Sequence, residues 1–218
     1  MTSASPDNTA AAETTLVIDS ATDACSVALF RGDTLLAGEW RMLGRGHAEA
    51  LVPMIGALPD RGRAGRICVA LGPGSFTGVR VGLAAARALA LAWGAAISGY
   101  STLALIAAMA REAHGARPVG VAMTGGHGEW FTEGFDEQGR TIRALASLPP
   151  AAAAEATTQD LVAGNQAEAL VALRGHGAAA PLWPDARAFA LLAPSALLAD
   201  VRPIYGRAPD ARVAGQAQ

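Results

Sequence analysis

The sequence is poor in charge: 17% of its 218 residues are Asp, Glu, Lys or Arg, against 51% hydrophobic. Low charge combined with a positive mean hydropathy of +0.27 excludes a chain that stays unfolded. There is no basic surplus, with 17 basic against 19 acidic residues and a net charge of -2. A broad electrostatic footprint for nucleic acid is therefore not expected. Cysteine is nearly absent: Cys25 and Cys68 allow one disulfide, not a disulfide scaffold, and neither lies at CxxC or metal-ligand spacing. A reduced, cytoplasmic chain is the expectation. The four histidines, His47, His114, His127 and His176, show no HxxxH or HExxH spacing, so no metal site is expected. Residues 1–13 lack a basic n-region and an apolar h-region and read as a mobile tail, not a signal peptide. The uncharged stretch 88–110 is long enough on paper to span a bilayer. Alanine supplies most of its apolarity, and Gly94, Ser98, Gly99, Ser101 and Thr102 interrupt it, so two helices around a short strand are expected, with no membrane span.

What is present reads as alternating α/β structure in two lobes, 14–112 and 113–218. Thr15–Ser20, Cys25–Phe30 and Thr34–Trp40 form a meander of strands joined by tight turns. Leu51, Met54, Ile55 and Leu58 fall at helical spacing over 47–58, with Pro53 expected to kink or delay that helix. A buried strand over Arg66–Leu71 leads into Gly72–Gly78, then a helix over Val79–Trp93 stopped by Gly94. A strand over Ile97–Tyr100 and a helix from Ser101-Thr102 to Ala110 complete the order of a ribonuclease-H-like lobe. In the second lobe strands are expected over Pro118–Met123, Glu129–Phe135, Thr141–Leu148 and 161–165, and helices over Gln166–Leu173 and Ala186–Ala199. The composition of the lobes suggests a duplicated architecture, without a sequence repeat between them.

The strongest motif is GPGSFTG at 72–78, between a strand and a helix, where amide donors can meet an anion. It is not a P-loop, since Val79-Arg80 stand where Lys-Ser/Thr would be, and Pro73 removes a donor. A tight strand-to-helix turn explains it better than a phosphate site. Ser75 has the look of a nucleophile, but the G-x-S-x-G elbow is missing and no base is identifiable. Asp19 ends a buried strand, where sugar-kinase-type folds place a metal-water carboxylate; a turn or cap aspartate fits equally. In the following helix Gly78, Gly82, Ala86 and Ala90 recur every four residues as a seam of small side chains, with Arg80 and Arg87 beside Leu83, Leu91 and Trp93 on a neighbouring face. The seam packs either on the protein's own sheet or on a partner helix; the arginine and aromatic content of the second face favours a protein interface. His47, near a helix start, is a cap or surface contact rather than a ligand.

Together these residues resemble the TsaB (YeaZ) family, the non-catalytic partner of TsaD in bacterial synthesis of threonylcarbamoyladenosine in tRNA. Ile18–Thr22 with Cys25–Leu29 is similar to the family's opening hairpin, and His47-Ala48-Glu49 with Leu51 and Pro53 to its first-helix motif. Gly72–Leu83 matches its most specific signature, and Gly99–Leu103, Gly164-Asn165 and Pro203–Ala211 also fit. One segment departs: the family's Asp-Ala-Arg-x-x-Glu-Val-Tyr run is replaced by Thr124-Gly125-Gly126-His127-Gly128-Glu129-Trp130-Phe131. The resemblance implies a two-lobed actin-like, sugar-kinase-like fold without catalytic parts. It implies a scaffold subunit that pairs with TsaD and TsaE to form threonylcarbamoyladenosine next to the anticodon in tRNAs reading codons that begin with A. No cofactor of its own is implied; ATP and a metal ion act in the partner subunits, and tRNA is reached only through the complex. A homodimer is the implied state when TsaD is absent. The expected partner interface is His47, Leu51, Phe76, Arg80, Gly82, Leu83, Ala86, Arg87 and Ala90. Asp19, Ser20, Gly74 and Ser75 stand where a vestigial nucleotide site would be. The alternatives are a degenerate sugar-kinase-like ATPase or peptidase acting alone, and a self-sufficient structural homodimer.

Overall fold

A computed structural model describes residues 14–206. The expected mobile tail at 1–13, and the part of the C-terminal motif beyond Gly206, lie outside the described residues. The first sheet contains β1 (Thr14–Asp19), β2 (Ala24–Arg31), β3 (Thr34–Met42), β4 (Arg66–Ala70) and β5 (Ala96–Tyr100), in the order β3-β2-β1-β4-β5. β1, β2 and β3 pair antiparallel; β4 and β5 extend the sheet in parallel. Helix α1 (His47–Ala57) lies between β3 and β4, α2 (Phe76–Trp93) between β4 and β5, and α3 (Thr102–His114) follows β5. The second sheet contains β6 (Val119–Thr124), β7 (Trp130–Phe135), β8 (Thr141–Leu148), β9 (Leu161–Ala163) and β10 (Ala178–Ala180). Its order, β8-β7-β6-β9-β10, repeats that of the first sheet, with the same antiparallel meander and parallel extension. α4 (Pro150–Ala156) and α5 (Ala167–Arg174) cover it. The chain is thus a duplicated, ribonuclease-H-like, two-lobed actin-like fold.

Local chemistry explains most of these elements. β1 and β2 read as apolar runs rather than alternating ones because helices or turns cover both faces of the sheet: Leu16, Ile18, Val27 and Leu29 face α1 and α2, while Val17, Ala28 and Phe30 face the other side. α2 starts three residues earlier than the apolar run suggests because the Ser75 hydroxyl caps it, accepting from the Gly78 amide at 3.2 Å. It ends at Gly94, left-handed at φ 65°. By length and composition α2 is also long and apolar enough to cross a membrane, but one face of it packs on the sheet. Pro53 neither kinks nor delays α1, which runs unbroken through it with the ring on the exposed side.

α3 is apolar around most of its circumference because it sits between the lobes. Leu103, Ile106 and Ala110 join the core of the second sheet, whereas Leu105 joins Tyr100 and Phe30 against the first.

The expected helix over 186–199 does not form. Ala186–Leu191 and Pro194–Ala196 are separate 3-10 turns, divided where Ala193-Pro194 disfavours helix continuation. Nor does this stretch belong to the second sheet. Ala186 and Phe189 pack in the first lobe, and the Ser26 hydroxyl accepts from the Ala186 amide at 2.9 Å. From there the chain runs as a strap over the first lobe. Leu198 exchanges backbone hydrogen bonds with Gly99, the Ile204 amide donates to the Leu71 carbonyl at 2.7 Å, and Gly206 meets Phe131 of the second lobe.

Candidate functional site

Two places can carry function: the cleft between the lobes and the outer surface of α1 and α2. At the cleft, the β1–β2 turn meets the GPGSFTG loop at very close range. A Cβ on Gly74 would overlap the Ala21 carbonyl oxygen, and one on Gly78 would overlap that of Ser20. The Ser75 amide donates to the Ala21 carbonyl at 2.7 Å, and the Gly78 amide donates to the Ser75 hydroxyl. These glycines are present because two backbones touch there, and two of the loop amides an anion would need are already committed. Ser75 is the N-terminal cap of α2.

Asp19 and Ser20, placed by sequence in a vestigial nucleotide site, do not reach the cleft at all. Asp19 is 1% exposed and Ser20 2%. Asp19 accepts from the Ala21 amide at 3.0 Å and from the Tyr100 hydroxyl at 3.0 Å, and Phe189 packs against the Tyr100 ring at 6.0 Å. Burial pushes the Asp19 carboxyl up to about 7; those two hydrogen bonds pull it down by less, and Asp185 adds a further upward push. The Ser20 hydroxyl donates to the Gly78 carbonyl at 2.8 Å, locking α2 to the turn. Of the four residues, Gly74 and Ser75 line the cleft; Asp19 and Ser20 are core.

No group of three or more His, Cys, Asp or Glu side chains is placed to hold a metal ion among the described residues. Cys25 and Cys68 are free and buried, and desolvation pushes their thiols up to about 12 and about 11, so neither is a nucleophile at neutral pH.

The small-residue seam of α2 packs on the protein's own sheet. A Cβ on Gly82 would lie 2.5 Å from the Ser20 hydroxyl, with Ile18 and Val69 next nearest, and Ala86 is fully buried. Leu83 and Leu51 are 4% and 0% exposed and belong to the same core, and Ala90 packs against its edge. Leu51, Gly82, Leu83 and Ala86 are therefore core residues and not partner contacts: a seam this close to β1 and β4 has no surface left to offer. His47 is half-buried, its Nε2 donating to the Thr22 carbonyl at 2.8 Å, so it anchors the start of α1 to the β1–β2 turn.

Phe76, Arg80 and Arg87 are exposed. The two arginines also reach the strap: Arg80 lies 3.5 Å above the Phe76 ring and donates to the Tyr205 hydroxyl at 3.1 Å, and Arg87 donates to the Val201 carbonyl at 2.7 Å. Two apolar side chains on these helices have little cover, Val52 of α1 at 63% and Leu91 of α2 at 88% exposed; Pro53 and Gly56 are exposed beside the first, Ala84 and Ala88 beside the second. On α2 the exposed Arg80 and Arg87 stand at helical spacing with Ala84, Ala88 and Leu91. Sequence reasoning misses Val52 because the 51-54-55-58 stripe marks only the buried face; an apolar residue off that stripe is the signal that could find it.

In the second lobe the replaced loop closes as a tight turn. The Gly125 amide donates to the Glu129 carbonyl, and the Glu129 amide to that of Gly126. Asn165 holds the loop's base, accepting from the Thr124 amide and donating to its hydroxyl, both at 2.9 Å.

The sequence and the fold have known counterparts. The family model described as "TsaD: tRNA N6-adenosine threonylcarbamoyltransferase" matches residues 41–178. The "tRNA threonylcarbamoyladenosine biosynthesis protein TsaB" of Escherichia coli is 37% identical over 131 residues, covering 57% of this chain and 56% of that protein. The protein of the same name from Bacillus subtilis is 36% identical over 107 residues, 47% of each chain. The chain thus spans about half the length of the curated relatives it matches. The solved structure "YeaZ from Pseudomonas aeruginosa" superposes with a TM-score of 0.76 at 29% identity, covering 88% of this chain and 99% of that one.

Proposed function

Since the chain belongs to the family of that model, in its TsaB (YeaZ) group, we propose that it is a subunit in the synthesis of threonylcarbamoyladenosine in tRNA, acting by assembly rather than by catalysis. In this reading the outer face of α1 and α2 docks on a TsaD-type partner in the cytoplasm, and TsaE joins the pair. The chain brings no cofactor; ATP and a metal ion act in the partners, and tRNA is engaged through the complex. The observation that carries the reading is the exposure of Val52 and Leu91, 63% and 88%, on two helices whose opposite faces pack into the core of the first lobe. Burying an aliphatic side chain there is worth roughly 1.5–3 kcal/mol. The sealing of Asp19 behind Tyr100 supports a non-catalytic role, because a carboxylate out of reach of solvent and cleft serves neither as a base nor as a metal ligand for a substrate.

The test is reconstitution. The purified chain is mixed with TsaD and TsaE from the same organism, ATP, tRNA and the threonylcarbamoyl donor, and the modified nucleoside is measured. Product that requires this chain, with none formed by the chain alone, is the expected result. Product formed equally well without it refutes the proposal.

A further inference from the structure

The root of the strap, 184–189, is seated over a buried carboxyl. Trp40 Nε1 donates to the Pro184 carbonyl at 3.1 Å, the Ser26 hydroxyl accepts from the Ala186 amide at 2.9 Å, and the Phe189 ring packs on Phe30 at 5.7 Å and on Tyr100 at 6.0 Å. Asp19, 1% exposed, is bonded through one oxygen to the Ala21 amide and through the other to the Tyr100 hydroxyl. Both donors are neutral, and no Arg or His side chain forms an ion pair with Asp19 among the described residues. The titratable groups coupled to it are Tyr100 of β5, Cys25 of β2 and Asp185 of the strap root. Behind these, Cys68 of β4 acts on Tyr100, and Glu39 and Arg41 of β3 act on Cys25. Asp185 has the same sign of charge as an ionised Asp19 and is paired with Arg187 at 2.6 Å. The protonated form of Asp19 is also provided for: its OH can donate to the Tyr100 oxygen while that hydroxyl turns towards the Ile18 carbonyl, 3.5 Å away.

We infer that the strap root is a proton-gated lid, seated while Asp19 is protonated and lifted when Asp19 ionises. An ionised carboxyl under this cover loses its water without gaining a cation, and it faces a second carboxylate on the cover itself. Lifting 184–189 restores water to it and breaks little: the bonds from Trp40 and to Ser26, and the Phe189 ring contacts. The strand pairing of the first sheet is untouched. With the lid seated, burial raises the carboxyl from 3.8 to about 7, so lifting releases a proton within that window. Rising pH therefore favours the lifted state up to about 7, and the effect levels off above it. Further along, the strap holds Arg87 and Arg80 of α2 through Val201 and Tyr205, so a lifted root frees one end of the segment that flanks that helix. The device uses this chain's own residues and stands whether or not the outer face of α2 docks a partner.

Hydrogen exchange of the full chain, read residue by residue on both sides of neutral pH and corrected for the intrinsic exchange rate, is the test. Protection of the Ala186 amide and of the Trp40 indole N–H should fall about tenfold per pH unit in mild acid and level off above neutrality. The Val17 and Ile18 amides of β1, in the middle of the sheet, should stay better protected at every pH, because they exchange only when the chain unfolds. Asp19→Asn should flatten the profile of Ala186 and Trp40. Asp185→Asn, which still caps the turn at Ala186–Leu191, should keep the slope, since Asp19 is the group that titrates. A flat profile in the wild type overturns the inference. So does a slope that survives Asp19→Asn or disappears in Asp185→Asn, and so does exchange at Ala186 and Trp40 no faster than in β1.

Discussion

Replacing Asp19 by asparagine should stabilise the protein above neutral pH. Asp19 is 1% exposed, and its carboxyl is raised from 3.8 to about 7 chiefly by burial. Between those two values the unfolded chain has released the proton while the folded chain retains it, so stability falls as pH rises through this window. Above it, holding the ionised form inside costs about 4 kcal/mol, at ~1.4 kcal/mol per unit. Asparagine removes that cost. Its oxygen still accepts from the Ala21 amide and its NH2 donates to the Tyr100 oxygen, leaving the Tyr100 hydroxyl to donate towards the Ile18 carbonyl, now 3.5 Å away. The second amide hydrogen is left without a partner, a penalty of about 1–3 kcal/mol. The net gain well above neutral pH is therefore about 1–3 kcal/mol, shrinking to nothing or reversing in mild acid. Urea melts of both proteins across the pH range measure it directly. Parallel stability profiles would refute the reasoning, because they would mean that Asp19 titrates alike in the folded and unfolded chains. Complex activity lost on this substitution despite a stable fold would return Asp19 to the catalytic inventory.

Other outcomes follow from the same packing. Gly82→Leu should lower the melting temperature sharply, since its side chain must enter the space held by Ser20, Ile18 and Val69; overpacking of this kind costs about 1–3 kcal/mol or more, and a wild-type melt would place the seam outside the core. Ala86→Leu should behave in the same way. Cys25 and Cys68 should resist a thiol reagent in the native protein and react only on unfolding, which a colorimetric thiol titration with and without denaturant checks. The chain alone should bind tRNA no more tightly than the ~10⁻⁴–10⁻⁶ M of non-specific contacts at physiological salt, as measured by filter binding.

The backbone plan is legible in the sequence because it rests on local rules. The β-branched run at 15–18, the turn at Arg31-Gly32-Asp33 and Gly94 after the long helix each fix an element within a few residues. The 186–199 stretch misleads because its apolar residues carry helical spacing while Pro194 divides it, and its burial comes from Phe30, Tyr100 and Ser26, all distant in sequence. The second sheet's short parallel strand β10, an alanine triplet, offers no β-branched signal to read. At the site, the glycines of GPGSFTG mark close approach, but the sequence leaves open whether a ligand or another backbone approaches; here it is the Ser20–Ala21 carbonyls. The seam poses the same ambiguity, since small residues every fourth position fit a partner helix and a β-sheet alike. Only the distance from Gly82 to Ser20 settles which surface takes them.

The central claim, assembly through the outer face of α1 and α2, is tested most directly by the affinity for TsaD from the same organism of Val52→Glu and Leu91→Glu variants, measured by calorimetry beside a thermal melt. Both side chains are largely solvent-exposed, 63% and 88%, so neither change should lower the melting temperature of the isolated chain by more than a degree or two. The account predicts near-native melts with TsaD affinity reduced at least tenfold in each variant, on the order of 1.4 kcal/mol or more for a charge forced into an apolar contact. Variants that melt normally and bind TsaD as tightly as the wild type would contradict it.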